Sequence, residues 1–159
     1  MIRAIAPDDT TAVMALAKAI GLFTPQELEA LGGMLSEYFD GNLSKDCFWI
    51  VYDDHRGPVG TAYCAPEAYA SGTWNLYFIA VHPSHQSKGY GGKLLEYVEK
   101  TLAERGERLL LVETSGLPEL ERARKFYRKN GYEEEARIRE FYKAGDDKIV
   151  FRKLLSDRK

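Results

Sequence analysis

Trp74-Asn75-Leu76-Tyr77-Phe78-Ile79-Ala80-Val81-His82-Pro83-Ser84-His85-Gln86-Ser87-Lys88-Gly89-Tyr90-Gly91-Gly92-Lys93-Leu94-Leu95 is the stretch of this chain from which the fold can be read. Residues 76–81 form an apolar, aromatic run that stops at His82-Pro83. Pro83 has no N–H for a strand ladder and biases His82 toward extended geometry, so a strand over 73–81 ends there. A short polar loop leads into the glycine turn Gly89-Tyr90-Gly91-Gly92. Leu94, Leu95, Val98 and Leu102 then recur at helical spacing, with Lys93, Glu96, Glu99 and Lys100 for a wet face. Strand, loop, glycine turn and helix in that order suit a phosphate-bearing ligand. The first N–H groups of a helix lack intrahelical partners, and the helix dipole adds partial positive charge there.

On the N-terminal side, residues 2–5 read as a short strand ended by Pro7. Val13, Leu16, Ala17 and Ile20 then share a helical stripe, with Gly21 as the stop. Thr24-Pro25-Gln26-Glu27 is a helix start: Thr24 caps, Pro25 suits the first position and Glu27 closes a capping box. Leu28, Leu31, Leu35, Tyr38 and Phe39 give that helix its buried side. Gly32-Gly33 weakens its middle by roughly 1 kcal/mol per glycine, which predicts a bend or a mobile segment. Residues 47–52 and 59–64 read as antiparallel strands joined by a turn over 53–58. A small-residue connection over 68–72 completes the approach to the central stretch.

On the C-terminal side, the helix after the glycine turn closes at Gly106. Leu109-Leu110-Leu111-Val112 predicts a strand buried on both faces, leading into Glu113-Thr114-Ser115. Pro118 opens a helix with Leu120, Ala123 and Tyr127 on one side, and Gly131 ends it. Two strands, 132–142 and 147–155, flank a turn at Ala144-Gly145-Asp146, and Ser156-Asp157-Arg158-Lys159 is expected to fray. This order predicts the α/β (α+β) class: a single domain over 1–159, with a mixed central sheet of about seven strands flanked by about four helices.

A chain of 159 residues can bury a core without staples. Its formal net charge of −2 offers no basic field, so neither nucleic acid nor an anionic membrane is expected as a partner. The opening residues hold too short an apolar run for a signal peptide, and nothing reaches transmembrane length. Cys47 and Cys64 sit in apolar runs and read as buried free thiols, which points to the cytoplasm. His82 and His85 form an H-x-x-H pair with no third ligand beside it, so no metal is expected.

Two familiar phosphate loops fail on this turn. A P-loop needs G-x-x-x-x-G-K-[ST], but Ser87 stands at its first glycine and Leu94 at its hydroxyl. A Rossmann fingerprint would use Gly89 and Gly91, but its third glycine falls on Leu94. What fits is Gln-x-x-Gly-x-Gly over Gln86-Ser87-Lys88-Gly89-Tyr90-Gly91, after a strand ending Ile79-Ala80-Val81-His82-Pro83. This resembles the acetyl-CoA-binding motif of the GNAT superfamily of N-acetyltransferases. Downstream, Ala123-Arg124-Lys125-Phe126-Tyr127-Arg128-Lys129-Asn130-Gly131-Tyr132 is similar to that family's A-x-x-[FL]-Y-x-[KR]-x-G-[FY] helix end. The resemblance covers nearly the whole chain and is strongest over 76–132.

The resemblance implies a role for each matched position. In the family the strand before the loop splays from its neighbour and pairs with pantetheine amides, a role that falls here to Ile79, Ala80 and Val81. Main-chain N–H groups of Gln86, Ser87, Lys88, Gly89, Tyr90, Gly91 and Gly92 would hold the pyrophosphate. Glycines let phosphate oxygens approach those amides closely. Lys88 and Lys93 either add contacts to phosphate or are solvated surface lysines. Tyr127 matches the tyrosine that protonates the departing thiolate; it is also placed to be a core aromatic. Glu113, at the end of its strand, is the candidate for helping an ammonium lose its proton, and is equally readable as a structural carboxylate. Thr114 and Ser115 read as ligand contacts or as turn formers. Two departures stand out: Leu120 replaces an asparagine common in the family, and Gln86 an arginine.

The expected activity is transfer of an acetyl group from acetyl-CoA, as cosubstrate, to a primary amine of a small molecule or peptide. A homodimer is compatible with the class. The alternatives are a non-catalytic acyl-CoA-binding module and a nucleotide-phosphate binder that uses the same turn without CoA.

Overall fold

Local chemistry sets most element boundaries. In the computed structural model of the protein, which describes residues 1–42 and 46–155, Thr24 Oγ1 accepts the Glu27 N–H at 3.1 Å and Glu27 Oε1 accepts the Thr24 N–H at 2.8 Å. This reciprocal cap starts helix α2 (Pro25–Phe39). It runs uninterrupted through Gly32 and Gly33, so the expected bend does not break it. Ahead of it, strand β1 (Ile2–Ala4) leads to helix α1 (Thr10–Ile20), which stops at Gly21 with φ +77°. The expected frayed terminus, 156–159, lies outside the described residues.

The remaining elements follow in chain order: β2 (Phe48–Asp53), β3 (Pro58–Pro66), β4 (Thr73–Val81), α3 (Tyr90–Glu104), β5 (Leu109–Ser115), α4 (Glu121–Lys129), β6 (Glu133–Lys143) and β7 (Asp146–Leu154). The strands form one mixed sheet in the order β1-β2-β3-β4-β5-β7-β6. β1 with β2, β2 with β3, β5 with β7 and β6 with β7 run antiparallel, while β4 and β5 run parallel. No described helix is long and apolar enough to cross a membrane.

The chain divides into two units, and the boundary cuts through both β4 and α3. The first unit comprises Met1–Ala65 with Phe78–Val98. Its core gathers Val13, Ala17, Leu35, Cys47, Trp49, Val51 and Tyr63, which explains the apolar stripe of α1 and the alternation in β2. Trp49 is fully enclosed, and its indole N–H donates to Thr61 Oγ1 at 2.8 Å, so even its polar tip is satisfied. Cys47 and Cys64 are both buried, as their apolar settings predict, and neither forms a disulfide among the described residues. Gly60 on β3 allows a close approach by α3: a Cβ there would stand 3.0 Å from Leu94 Cδ1 and 3.4 Å from the Ala80 carbonyl.

The second unit comprises Pro66–Tyr77 with Glu99–Lys159. In β5, Leu110 and Val112 are buried while Leu109 and Leu111 are only half-buried, so the strand is not enclosed on both faces as its sequence suggests. Phe151 and Ile149 of β7 are fully buried, and Tyr127 packs its ring at 5.7 Å from Phe151 and 6.0 Å from Tyr132. Pro118 does not open α4 directly. A 3-10 turn, Pro118–Leu120, comes first, and the α-helix begins at Glu121. Every residue of β6 is exposed, as its run of charges allows.

Candidate functional site

The first unit holds the glycine turn. β4 leaves the sheet at Val81, and the His82 N–H is tied to the Val59 carbonyl at 2.8 Å. A 3-10 turn over Pro83–His85 follows, and Gln86 turns back so that its Nε2 donates to the Val81 carbonyl at 3.0 Å. Gln86 therefore braces the loop with its side chain. His85 Nε2 stands 3.4 Å from Asp54 Oδ2, and the Tyr90 ring stacks 4.5 Å from Tyr52. Both ends of the loop are thus held by residues of β2 and the turn after it.

Within the loop, Ser87 and Gly89 both have positive φ, +65° and +87°. Left-handed residues interleaved in this way turn successive N–H groups toward one side, the geometry of an anion nest. The first main-chain bond of α3 runs from the Lys93 N–H to the Gly89 carbonyl at 3.1 Å. The N–H groups of Tyr90, Gly91 and Gly92 lie ahead of it and have no carbonyl four residues back inside the helix. The glycine turn is therefore shorter than its sequence suggests. Gly91 and Gly92 belong to the first helical turn, and only Gly89 lies outside the helix. Lys88 and Lys93 are exposed and make no ion pair among the described residues.

Of the strand residues, Ala80 is buried and Ile79 and Val81 are half-buried. β4 pairs with β5 from Thr73 opposite Leu109 to Leu76 opposite Val112, and the pairing ends before Ile79 is reached.

The second unit holds the two candidate catalytic side chains. Tyr127 lies on α4 among Phe126, Tyr132 and Phe151, and burial pushes its phenol upward from the ordinary range, so it is protonated at neutral pH. Its oxygen has no hydrogen-bond partner among the described residues. Among the described residues no fully enclosed side-chain polar atom lacks one, so that oxygen keeps some access to solvent. A protonated phenol can donate a hydrogen bond.

Glu113 is the first residue of β5 beyond its last pair with β4. Its Oε1 lies 2.9 Å from Lys148 Nζ, and its Oε2 accepts from Asn75 Nδ2 at 3.1 Å. The carboxylate is thus both paired and still 30% exposed. Ser115 is a turn former: its Oγ donates to Asp146 and accepts the Leu117 N–H at 3.0 Å. Asp146, at the hairpin tip, is buried by that contact.

Two site features escape the sequence reading. Arg124, inside the tyrosine motif, is 8% exposed and donates to the Ser115 and Leu117 carbonyls at 2.6 and 2.9 Å. It thereby fixes the connection from β5 to α4. Asn75 is 2% exposed and also donates to Glu67 Oε2 at 2.7 Å. A polar residue inside an apolar strand run was the available signal, since a buried amide needs partners. Tyr77, two residues beyond Asn75 on β4, is 51% exposed. Among the described residues no group of three His, Cys, Asp or Glu side chains could hold a metal ion.

Comparison with known proteins gives the family. The acetyltransferase (GNAT) domain matches residues 44–134. A GNAT-family protein from Desulfovibrio desulfuricans superposes with a TM-score of 0.91 at 33% identity, covering 98% of this chain and 99% of that one. An aminoglycoside 6'-N-acetyltransferase solved with coenzyme A superposes at 0.80 with 16% identity, covering 100% and 99%. The ribosomal-protein-S18-alanine N-acetyltransferase of Escherichia coli superposes at 0.78 with 20% identity, covering 100% and 96%. The last two likenesses concern the fold. A comparison with curated protein sequences finds no match.

Proposed function

Because the chain belongs to the GNAT family and is an acetyl-CoA-dependent N-acetyltransferase, we propose that it acetylates a primary amine by direct attack on the thioester. The observation that carries this reading is the turn over 86–92. Positive φ at Ser87 and Gly89, followed by the N–H groups of Tyr90, Gly91 and Gly92 ahead of the helical ladder, suits a main-chain cradle for a pyrophosphate. The edge of β4 at Ile79, Ala80 and Val81 takes the pantetheine amides, beyond the point where pairing with β5 stops.

The acceptor arrives mostly as ammonium, since a primary alkylamine titrates near pH ~10, and it must lose a proton before it attacks. A carboxylate of the group around Glu113 at the strand ends assists that loss, directly or through water. The lone pair then attacks the acetyl carbon, the C–S bond breaks, and the Tyr127 O–H protonates the thiolate. Holding both substrates replaces a bimolecular encounter by an oriented one. Neither buried cysteine is needed as a nucleophile. The acceptor is a small-molecule or peptide amine, and the reading carries the cytoplasm as the compartment and admits a homodimer.

Calorimetry with CoA and with ATP, followed by an amine screen with acetyl-CoA read by mass spectrometry, tests this reading. Preference for CoA and an acetylated amine are expected. Equal binding of ATP would favour a general nucleotide-phosphate binder. CoA binding without turnover on any amine would favour an acyl-CoA-binding module.

A further inference from the structure

Asn75 occupies a strand position that an apolar residue would ordinarily fill, and it is almost fully enclosed. Its Nδ2 donates to carboxylates from two distant parts of the chain, Glu67 Oε2 at 2.7 Å and Glu113 Oε2 at 3.1 Å. These two acceptors also fix the orientation of the amide, because its oxygen would face two negative charges if it were flipped.

The two carboxylates are not equivalent. Glu113 has a donor on each oxygen, one of them the Lys148 ammonium at 2.9 Å. Glu67 faces no cation among the described residues, and its Oε1 has no hydrogen-bond partner there. The cluster Glu67, Glu113 and Lys148 therefore keeps one uncompensated negative charge. It stands where β4 and β5 cease to pair, since Tyr77 and Glu113 are the next residues after the last pair. The other charged or titratable groups here are Asp146, bonded to Ser115, and the phenols of Tyr77 and Tyr142. Burial is the first cause raising both phenols; the charges of Glu67 and Glu113 add to it at Tyr77, and those of Glu113 and Asp146 at Tyr142. Lys148 is further held over the Phe141 ring at 4.0 Å.

We infer that Glu67 is the carboxylate that receives the acceptor's ammonium and takes its proton, with Asn75 as the residue that positions it. This rests on the N-acetyltransferase reading above and goes beyond it by naming the group. An ammonium approaching Glu113 would meet the Lys148 charge, whereas one approaching Glu67 Oε1 completes an unpaired carboxylate. An N–H bond of the ammonium breaks and its proton passes to Glu67 Oε1. The freed lone pair forms the C–N bond, the C–S bonding electrons leave on sulfur, which takes the Tyr127 proton, and a second N–H bond breaks as the nitrogen gives that proton to water. The products are the acetamide and CoA thiol. Glu67 releases its proton to water, and Tyr127 regains one from water. Tyr77 and Tyr142, both partly exposed aromatics, suit a primary alkylamine with an apolar stem.

The test follows thiol release from acetyl-CoA by the full-length chain with a panel of primary alkylamines, from pH 6 to pH 10. Glu67→Gln keeps an oxygen for the Asn75 hydrogen bond, so the fold is retained. It should lower kcat/KM at neutral pH by about 100-fold, as loss of a general base does. The deficit should shrink toward pH 10, where about half of the amine arrives neutral, and CoA affinity should not change. Glu67→Asp should keep the wild-type shape of the pH profile. Asn75→Ala should reduce the rate while preserving that shape, because Glu67 is misplaced but still present. If Glu67→Gln lowers only thermal stability, with rate and pH profile as in the wild type, the carboxylate is structural and the inference falls. If the wild type binds CoA but releases no thiol with any amine, the N-acetyltransferase reading itself fails and takes this inference with it.

Discussion

The cradle over 86–92 and the cluster around Asn75 are built from opposite materials. The cradle uses main-chain N–H groups, which any sequence supplies, and needs only the backbone conformations set by Ser87 and Gly89. The cluster uses the side chains of Glu67, Asn75, Glu113 and Lys148, each from a different segment. A backbone site tolerates changes of side chain but not of conformation, and a side-chain site behaves the other way round. Binding of the invariant part of the substrate pair suits the first. Proton chemistry, which needs titratable groups, requires the second.

Four substitutions would break or sharpen this contrast. The largest effect is expected from Tyr127→Phe, which removes a hydroxyl that bonds to no described residue and leaves the ring packing against Phe151 intact. The turnover rate should fall about 100-fold, the scale of a lost general acid, while CoA affinity and melting temperature hold. Unchanged turnover in steady-state kinetics would remove Tyr127 from the mechanism. Next comes Gly89→Val. A Cβ at Gly89 would meet nothing within 4 Å, so the penalty is conformational and arises from φ +87°. A left-handed non-glycine residue costs about 1–2 kcal/mol, so calorimetry should show CoA affinity weakened about tenfold with little change in turnover at saturation. If CoA binding is unaffected, the cradle is misassigned. The smallest effect is expected from Lys88→Ala and Lys93→Ala. Both side chains are exposed, and an exposed charge contributes about 0.2–1 kcal/mol, so each should weaken CoA binding by no more than about fivefold. A loss of 100-fold in either variant would mean that side-chain charge, and not the main chain, holds the phosphates.

The same contrast explains which parts were legible beforehand. β4 from Thr73 to Val81 and the helix after it could be read because periodicity, Pro83 and the glycines act within a few residues. The capping box of α2 is similarly local. The reading erred where neighbours decide. Gly91 and Gly92 lie inside the helix whose Leu94 packs close to Gly60, and the Leu109-Leu110-Leu111-Val112 run is half-exposed on one face despite its apolar composition. Arg124 stands in sequence only as an unassigned position of the tyrosine motif, yet three acceptors gather around it: the Ser115 and Leu117 carbonyls and Glu121.

By itself the sequence determined the order of elements, the class of the sheet and the place of the glycine turn, since each depends on backbone preferences and spacings encoded in neighbouring residues. Only the tertiary structure decided that Glu67 and Glu113 share one buried amide, that Lys148 compensates one of them and leaves the other open, and that the Tyr127 ring is enclosed while its oxygen has no partner. Those are relations between residues far apart in the chain. Their energies depend on distance and burial, which no local pattern specifies.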